Sequence, residues 1–221
     1  MDTTALKDEL LTAALPNIPF DGWSRHSLGY AAETVGVDPD VAAAAFPDGL
    51  GDLLAHFGDW ADRQMLAAME AAPEAGDDAG QRLLAALRAR FDCLAPYKDA
   101  VRRAVALLAL PVNAGISTRL MYRTVDALCL AAGDTATDFS FYTRRWLLAG
   151  VVGAATLYWL NDKSDDHEDT WAFLARRIGS MQAAERGLAR AGSLGSLAEA
   201  PFRLAARLRA RRADRHGTAD A

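Results

Sequence analysis

Five acidic side chains crowd into one short stretch of the sequence, and they are the first candidates for chemistry: Asp162, Asp165, Asp166, Glu168 and Asp169. A metal site is one interpretation. We favour a structural one, because carboxylates are stabilised by the partial positive charge at a helix N-terminus. Asp165 is predicted to cap a helix over 166–186, with Glu168 completing a capping box. The remaining carboxylates are expected to be solvated or paired with Arg144 or Arg145.

The other reactive residue types form no recognisable catalytic set. The four histidines are His26, His56, His167 and His216; none lies four residues from another, and no Glu-x-x-His occurs. Cys93 and Cys129 sit in apolar helical contexts, which predicts reduced core thiols. Neither a Gly-x-Ser-x-Gly sequence nor a P-loop is present. We therefore expect a protein that is not an enzyme and that holds no metal or other cofactor.

An apolar helix precedes the acidic stretch. It is predicted over Tyr142 to Leu160, is hydrophobic on nearly every face, and carries small residues at Ala149, Gly150, Gly153, Ala154 and Ala155. A helix that is apolar all round is buried on all sides. Clustered small residues indicate either close packing or space left beside the helix. Both plain packing and an enclosed apolar ligand fit this pattern.

The remaining elements that must position these residues are also helical. The chain has 221 residues, 51% of them hydrophobic, which suits one helical domain with a large core. Alanine and leucine dominate, and no sustained alternation of period two appears, so an all-α fold is predicted. Helices are expected near 5–14, 25–34, 39–46, 52–72, 78–94, 97–110, 116–132 and 142–160. Four of these helices are predicted to start at Ser24, Asp38, Asp52 and Asp78.

Residues 1–48 have the pattern of a helix-turn-helix module. Val35-Gly36-Val37, Phe46-Pro47 and Leu53-Leu54 resemble the N-terminal module of TetR-type repressors. The short helix that would enter the major groove reads Asp-Val-Ala-Ala-Ala-Ala-Phe and has no base-reading side chain. Residues 1–60 hold two basic and ten acidic residues, a net charge of −8. Because DNA affinity depends on neutralised phosphates, we expect no nucleic-acid binding.

Several separated motifs resemble the lipid-binding accessory family of ubiquinone (coenzyme Q) biosynthesis, which has a TetR-like fold. The resemblance covers roughly residues 5–180. It is carried by Ala13-Ala14-Leu15-Pro16 with Phe20-Asp21-Gly22-Trp23, Phe46-Pro47 with Asp48-Gly49, His56-Phe57 with Asp59-Trp60-Ala61-Asp62, Thr137-Asp138-Phe139 with Tyr142-Thr143-Arg144-Arg145, and Glu168-Asp169-Thr170-Trp171.

This resemblance implies a homodimer with a cavity for an isoprenoid lipid or quinone intermediate. It also implies a surface that presents the lipid to the di-iron hydroxylase of the pathway. That surface maps to Leu128, Phe141 and Tyr142, although the family often has Trp where this chain has Phe141. The expected lipid-binding residues lie on three helices: Leu107, Leu110, Ile116, Leu120, Met121, Leu147, Gly150, Val151, Ala154 and Leu157. Residues 49–186 would form this ligand-binding and dimerisation domain.

Residues 187–221 are predicted to be a Gly/Ser-rich linker followed by an amphipathic basic helix. Residues 203–216 carry a net charge of +5, so the rest of the chain carries −10. Apolar residues among arginines are typical of a helix that lies on a membrane surface. The membrane-binding residues are expected to be Phe202, Arg203, Leu204, Arg207 and Leu208. A solvated Arg-rich end is the alternative.

The start of the chain does not resemble a secretory signal or a transit peptide, since Met1 to Leu10 contains Asp2, Asp8 and Glu9. We expect a cytoplasmic protein that is peripheral on the inner face of the bacterial inner membrane. Two other functions stay open at this point. One is a ligand-responsive TetR-type transcription regulator, which the acidic first 60 residues disfavour. The other is a plain helical scaffold.

Overall fold

The computed structural model of the chain describes residues 3–72, 76, 78–133 and 139–187, and of 139–143 the backbone alone. Every regular element in these ranges is helical, which confirms the all-α prediction. The α-helices are α1 (Thr3–Ala14), α2 (Ile18–Asp21), α3 (Arg25–Val35), α4 (Pro39–Ala45), α5 (Leu50–Ala71), α6 (Ala79–Leu94), α7 (Lys98–Leu108), α8 (Ala114–Ala131), α9 (Phe139–Asn161) and α10 (168–187).

Local capping chemistry sets the start of three helices, as the sequence predicts. The Ser24 hydroxyl accepts a hydrogen bond from the Ser27 amide at 3.2 Å, and α3 begins there. Asp38 accepts from the Asp40 amide at 2.8 Å and so starts α4. Asp78 likewise starts α6. Asp52 does not cap α5; Gly49 precedes that helix, and the Asp52 carboxylate accepts from the Asp48 amide instead.

Helices α1–α4 pack against the body of the protein through a buried tryptophan. The Trp23 indole donates to the Ala100 carbonyl of α7 at 3.0 Å, and the guanidinium of Arg103 donates to the Pro19 carbonyl. On its other side, the Trp23 ring meets the Phe57 ring of α5, with 4.9 Å between centroids. The helix-turn-helix-like module is therefore hydrogen-bonded to α7 and packed on α5.

Helices α5, α6, α8 and α9 form the centre of the body. Helix α5 packs against α6 and α8, and α8 packs against α9. On α8 the buried residues recur at helical spacing, at Thr124, Val125, Leu128 and Cys129. On α9 the fully or nearly buried residues include Leu148, Ala155 and Trp159. This arrangement leaves one side of each helix free to face a space between them.

The turn before α10 differs from the prediction. Residues 165–167 form a single 3-10 turn, in which Asp166 (φ 48°) and His167 (φ 59°) adopt left-handed backbone. Asp165 and Glu168 therefore do not form a capping box. The Asp162 carboxylate accepts from the Ser164 and Thr170 amides at 2.8 and 2.9 Å and from both hydroxyls. Asp162, rather than Asp165, anchors the start of α10.

The chain divides into two units, residues 1–179 and 180–221, and helices α1–α9 lie in the first. In the ranges that the structure covers, no single helix is long and apolar enough to cross a membrane. One bent pair, Ala79–Leu108 with Pro111–Ala131, reaches that length and composition when the two parts are taken together.

Candidate ligand-binding cavity

A cavity of about 330 Å³ lies between helices α5 to α9. Its volume is at the lower end of the range for small-molecule sites. Its walls are mostly aliphatic. The wall residues are Leu54, Phe57, Gly58 and Ala61 of α5; Arg90 and Leu94 of α6; Val101, Ala104, Val105 and Leu108 of α7, with Ala109 directly after it; Ser117, Leu120, Met121 and Thr124 of α8; and Val152, Gly153, Thr156 and Leu157 of α9.

Helical periodicity explains this lining. On α5 the wall positions are 54, 57, 58 and 61, on α7 they are 101, 104, 105 and 108, and on α8 they are 117, 120, 121 and 124. Each set follows the spacing i, i+3, i+4, i+7, which places four side chains on one face of a helix. Each of these helices therefore turns one face toward the same space, and on α5 and α7 that face is entirely apolar.

Two glycines keep the cavity open. A Cβ atom added at Gly58 would lie 3.5 Å from the Leu120 side chain across the space. One added at Gly153 would lie 4.0 Å from Cε of Met121, which is ordinary van der Waals contact. Larger side chains at these positions would extend into the cavity. The small residues of α9 thus leave room at Gly153 rather than bringing two helices into tight contact there.

The cavity reaches the protein surface. Leu157, one of its wall residues, is 55% exposed, and Ala109 is also exposed. Leu110 and Val112 follow Ala109 directly and are 47% and 85% exposed. The opening is therefore bordered by apolar side chains. A bound molecule longer than the cavity can leave part of its length at this apolar rim.

One polar cluster interrupts the apolar wall. Arg90 Nε donates to Oδ1 of Asp62 at 2.8 Å, and the Thr124 hydroxyl donates to Oδ2 at 3.0 Å. Arg90 Nη2 also lies 3.4 Å from the Thr124 hydroxyl. The side chains of Arg90 and Asp62 are 13% and 8% exposed. The cluster joins α5, α6 and α8, and no local sequence pattern reveals it because its members are 28 and 34 residues apart.

Three of the ten predicted lipid-binding residues line this cavity: Leu120, Met121 and Leu157. The structure places the other seven outside its lining. Leu107 lies in a separate pocket beside Trp23, Leu110 is largely exposed, and Ile116 approaches Gly51. Leu147 and Ala154 are half-buried, Gly150 is exposed, and Val151 is buried. Because α9 is apolar on every face, its sequence does not reveal which face meets the space.

The predicted hydroxylase-docking residues have different outcomes. Leu128 is fully buried on the same face of α8 as Val125 and Cys129, so it offers no surface contact, and its assignment as an exposed anchor is wrong. Phe141 and Tyr142 belong to the first turn of α9, but their side chains lie outside the described residues. The predicted membrane-binding residues Phe202, Arg203, Leu204, Arg207 and Leu208 also lie outside them.

Several titratable residues described by the structure have structural partners. His56 lies 2.7 Å from the Asp8 carboxylate, and burial lowers the pKa of His56 although Asp8 raises it. Arg145 pairs with Asp126 at 2.7 Å. Burial alone would raise the pKa of Asp162, but its hydrogen bonds from Ser164 and Thr170 hold it well below the usual range. No group of three metal-ligating side chains occurs among the described residues.

The architecture defines a class of protein: an all-helical TetR-like fold with an apolar internal cavity. A TetR transcriptional regulator from Nitrosomonas europaea ATCC 19718 has a similar structure, with a TM-score of 0.65. The similarity covers 80% of this chain and 98% of that one at 19% sequence identity. At this identity the comparison establishes the fold alone, and it confirms the TetR-like prediction.

Sequence comparisons identify the family. A COQ9 family model matches residues 114–185. Similar proteins include the mitochondrial ubiquinone biosynthesis protein COQ9 of Drosophila melanogaster (35% identical; 79% of this chain, 54% of that protein) and of Homo sapiens (34%; 78% and 56%). The mitochondrial COQ9-B of Xenopus laevis is 32% identical over 86% of this chain and 67% of that protein. The chain belongs to the COQ9 family, and it spans about half the length of the first two relatives.

Proposed function

We propose that this protein is a lipid-binding accessory protein of ubiquinone biosynthesis. Membership of the COQ9 family supports the role in the pathway. The observation that supports lipid binding is the cavity of about 330 Å³, whose wall is mostly apolar and which opens at an apolar rim. The ligand is an isoprenoid lipid or quinone intermediate. The names of the relatives state a pathway and no reaction, and our proposal includes no catalytic step by this chain.

The cavity is large enough for only part of a long ligand. A space of about 330 Å³ takes a head group or a short apolar segment, not a long polyprenyl chain in full. The remainder of a long chain would pass Leu157 and Ala109 and lie against Leu110 and Val112 at the rim. Such a partly enclosed lipid can be handed to a second protein without being fully released into water.

The proposal includes two protein partners. One is a second copy of the chain: α8 exposes Tyr122 and Leu130, and α9 exposes Trp146 at 80%, which is unfavourable for a large apolar side chain in water. The other is the di-iron hydroxylase of the pathway. Tyr142 is still predicted to contact it. The protein would act at the surface of the membrane that holds the quinone intermediates. For a bacterial chain this is the inner face of the inner membrane, whereas the relatives are named as mitochondrial.

The alternative function is a ligand-responsive transcription regulator. The fold is compatible with it, but the surface of the helix-turn-helix-like module is not. Helix α4, in the position of a recognition helix, exposes Asp40, Val41, Ala43 and Ala44. The net charge of −8 over residues 1–60 repels phosphate. Sub-micromolar, sequence-dependent binding of duplex DNA at physiological salt in a polarisation assay would favour the regulator over our proposal.

The decisive experiment is mass spectrometry of the organic extract from the purified full chain. We expect an isoprenoid quinone or a prenylated precursor at a stoichiometry well above that in a parallel purification of an unrelated helical protein. Finding no isoprenoid, and no uptake of a short-chain quinone added in vitro, would contradict the proposal.

A further inference from the structure

We propose that Arg90, held by Asp62 and Thr124, is a hydrogen-bonding anchor for the head group of the ligand. The class of ligand that it selects is an apolar molecule with an uncharged oxygen acceptor, such as a quinone carbonyl or a ring ether oxygen. This inference rests on the proposed function and adds to it the chemistry that orients the lipid in the cavity.

The geometry leaves donors available. A guanidinium group has five N–H donors in one plane. The N–H group on Nε donates to Asp62, and one N–H group on Nη2 donates to the Thr124 hydroxyl. The other three, two of them on Nη1, have no acceptor in the described part of the chain. Since Arg90 lines the cavity and its side chain is only 13% exposed, a ligand oxygen is a suitable acceptor for them.

The surrounding polar groups make the anchor specific. The Asp62 carboxylate holds the guanidinium at 2.8 Å, and the Thr124 hydroxyl donates to its second oxygen, so Asp62 is fixed from two sides. The Thr156 hydroxyl, also in the wall, donates to the Val152 carbonyl of its own helix and does not compete. Arg90 thus has a defined orientation before a ligand arrives, which reduces the entropic cost of binding.

Charge decides which oxygen this anchor prefers. Asp62 already neutralises Arg90, and the two side chains are only 8% and 13% exposed. A phosphate, pyrophosphate or carboxylate would bring an additional negative charge close to Asp62 and would lose its own hydration. A carbonyl or ether oxygen accepts the same hydrogen bonds at a much smaller desolvation cost. The cavity should therefore discriminate between a prenylated quinone and a prenyl pyrophosphate with a similar chain.

A purely structural role is the competing explanation, because the cluster joins three helices. Buried ion pairs, however, are often replaced by apolar residues of similar volume without loss of stability. Packing alone therefore does not require a charged pair in an otherwise aliphatic cavity wall. The structural role predicts altered stability with no change in ligand preference, and that difference can be measured.

The test compares three probes on the delipidated full chain: a decyl-substituted benzoquinone, the matching decylbenzene without oxygen, and farnesyl pyrophosphate. Binding is measured by displacement of a fluorescent apolar probe. We expect the wild type to prefer the quinone to the hydrocarbon by about tenfold, the effect of one good hydrogen bond, and to bind the pyrophosphate more weakly than the quinone.

The triple variant Asp62→Leu, Arg90→Met, Thr124→Val removes the whole cluster while keeping similar volumes, and it should lose the preference for the quinone. Arg90→Lys is the second variant: it keeps the charge beside Asp62, loses the planar donors, and should lose most of the preference even if the triple variant does not fold. Arg123→Met is the control, because Arg123 pairs with Asp59 and does not line the cavity. It should keep the wild-type preference.

The outcomes separate the two proposals. If the wild type binds quinone and hydrocarbon equally, or if Arg90→Lys and the triple variant keep the preference, the anchor is overturned while lipid binding stands. Tighter binding of the pyrophosphate than of the quinone also overturns it. If the wild type binds none of the probes, the proposed function fails together with the anchor.

Discussion

Replacing Gly153 by leucine is the sharpest test of the cavity, since it fills the space without touching the polar cluster. A Cβ atom at Gly153 meets Cε of Met121 at 4.0 Å, so the added side chain has room and extends into the cavity. Gly150, three residues earlier on α9, provides the matched control: a Cβ atom there has no neighbour within 4 Å, and the position is exposed.

The expected effects on stability follow from burial and helix propensity. Leucine in place of glycine within a helix stabilises it by about 0.5–1 kcal/mol, which applies to both variants. At Gly153 burial of the new side chain adds about 1.5 kcal/mol or more. The lipid-free Gly153→Leu protein should therefore gain about 2 kcal/mol, or roughly 4–8 °C in Tm for a chain of this size. Gly150→Leu should gain only about 1–4 °C.

The expected effect on the ligand is opposite. The leucine side chain occupies the space of four ligand carbons, each worth about 0.8 kcal/mol when buried. Lipid content after purification should fall at least tenfold in Gly153→Leu and stay at the wild-type level in Gly150→Leu. The assays are quantitative lipid mass spectrometry and thermal melting of delipidated protein. Wild-type lipid content in Gly153→Leu, or equal loss in both variants, would refute the assignment of the cavity.

Three further predictions concern the turn, the tail and the partner surface. Asp162→Ala should destabilise the protein by about 1.5–3 kcal/mol in urea unfolding at pH 7. Folding lowers the pKa of Asp162, so its contribution to stability is present above about pH 4 and is lost as the pH falls below that. Between pH 5 and pH 3 the free energy of unfolding should therefore fall less in the variant than in the wild type. Deleting 197–221 should reduce flotation with anionic liposomes, most clearly at low salt, while the helical signal per residue of the body stays; unchanged flotation would remove the membrane role of the tail. Tyr142→Lys should weaken capture of the di-iron hydroxylase at least tenfold, whereas Tyr30→Lys, at an exposed site on α3, should not; equal capture by both variants would remove Tyr142 from the docking surface.

The sequence predicted those features that depend on neighbouring residues. Ser24, Asp38 and Asp78 each accept a hydrogen bond from an amide two or three residues ahead, so their roles are visible in a few letters. The turn before α10 was less predictable. Its anchor, Asp162, reaches the Thr170 amide eight residues ahead, across two residues in left-handed backbone. The helix propensities of the individual residues do not predict this backbone conformation or this hydrogen bond.

The cavity was predicted only in outline. Leu120, Met121 and Leu157 were found because they are apolar residues on helices that a TetR-like fold would place around a ligand. The cavity-facing side of α9 could not be chosen, since every face of that helix is apolar. The contribution of α5 and the Asp62–Arg90–Thr124 cluster depends on tertiary contacts between helices distant in the chain. No local pattern encodes those contacts.

The position of the Phe57 side chain affects where this fold tolerates amino-acid substitutions. It lines the cavity on one side and contacts Trp23 on the other, so a single aromatic layer separates the ligand space from the helix-turn-helix-like module. A substitution at Trp23 would remove a packing partner of a cavity-wall residue, whereas the outward face of α4 is exposed. The inner face of the module is thus constrained by its packing against the cavity wall, and its outer face is free to accumulate acidic residues. That independence explains how the shape of a helix-turn-helix module and a strongly acidic surface coexist in one chain.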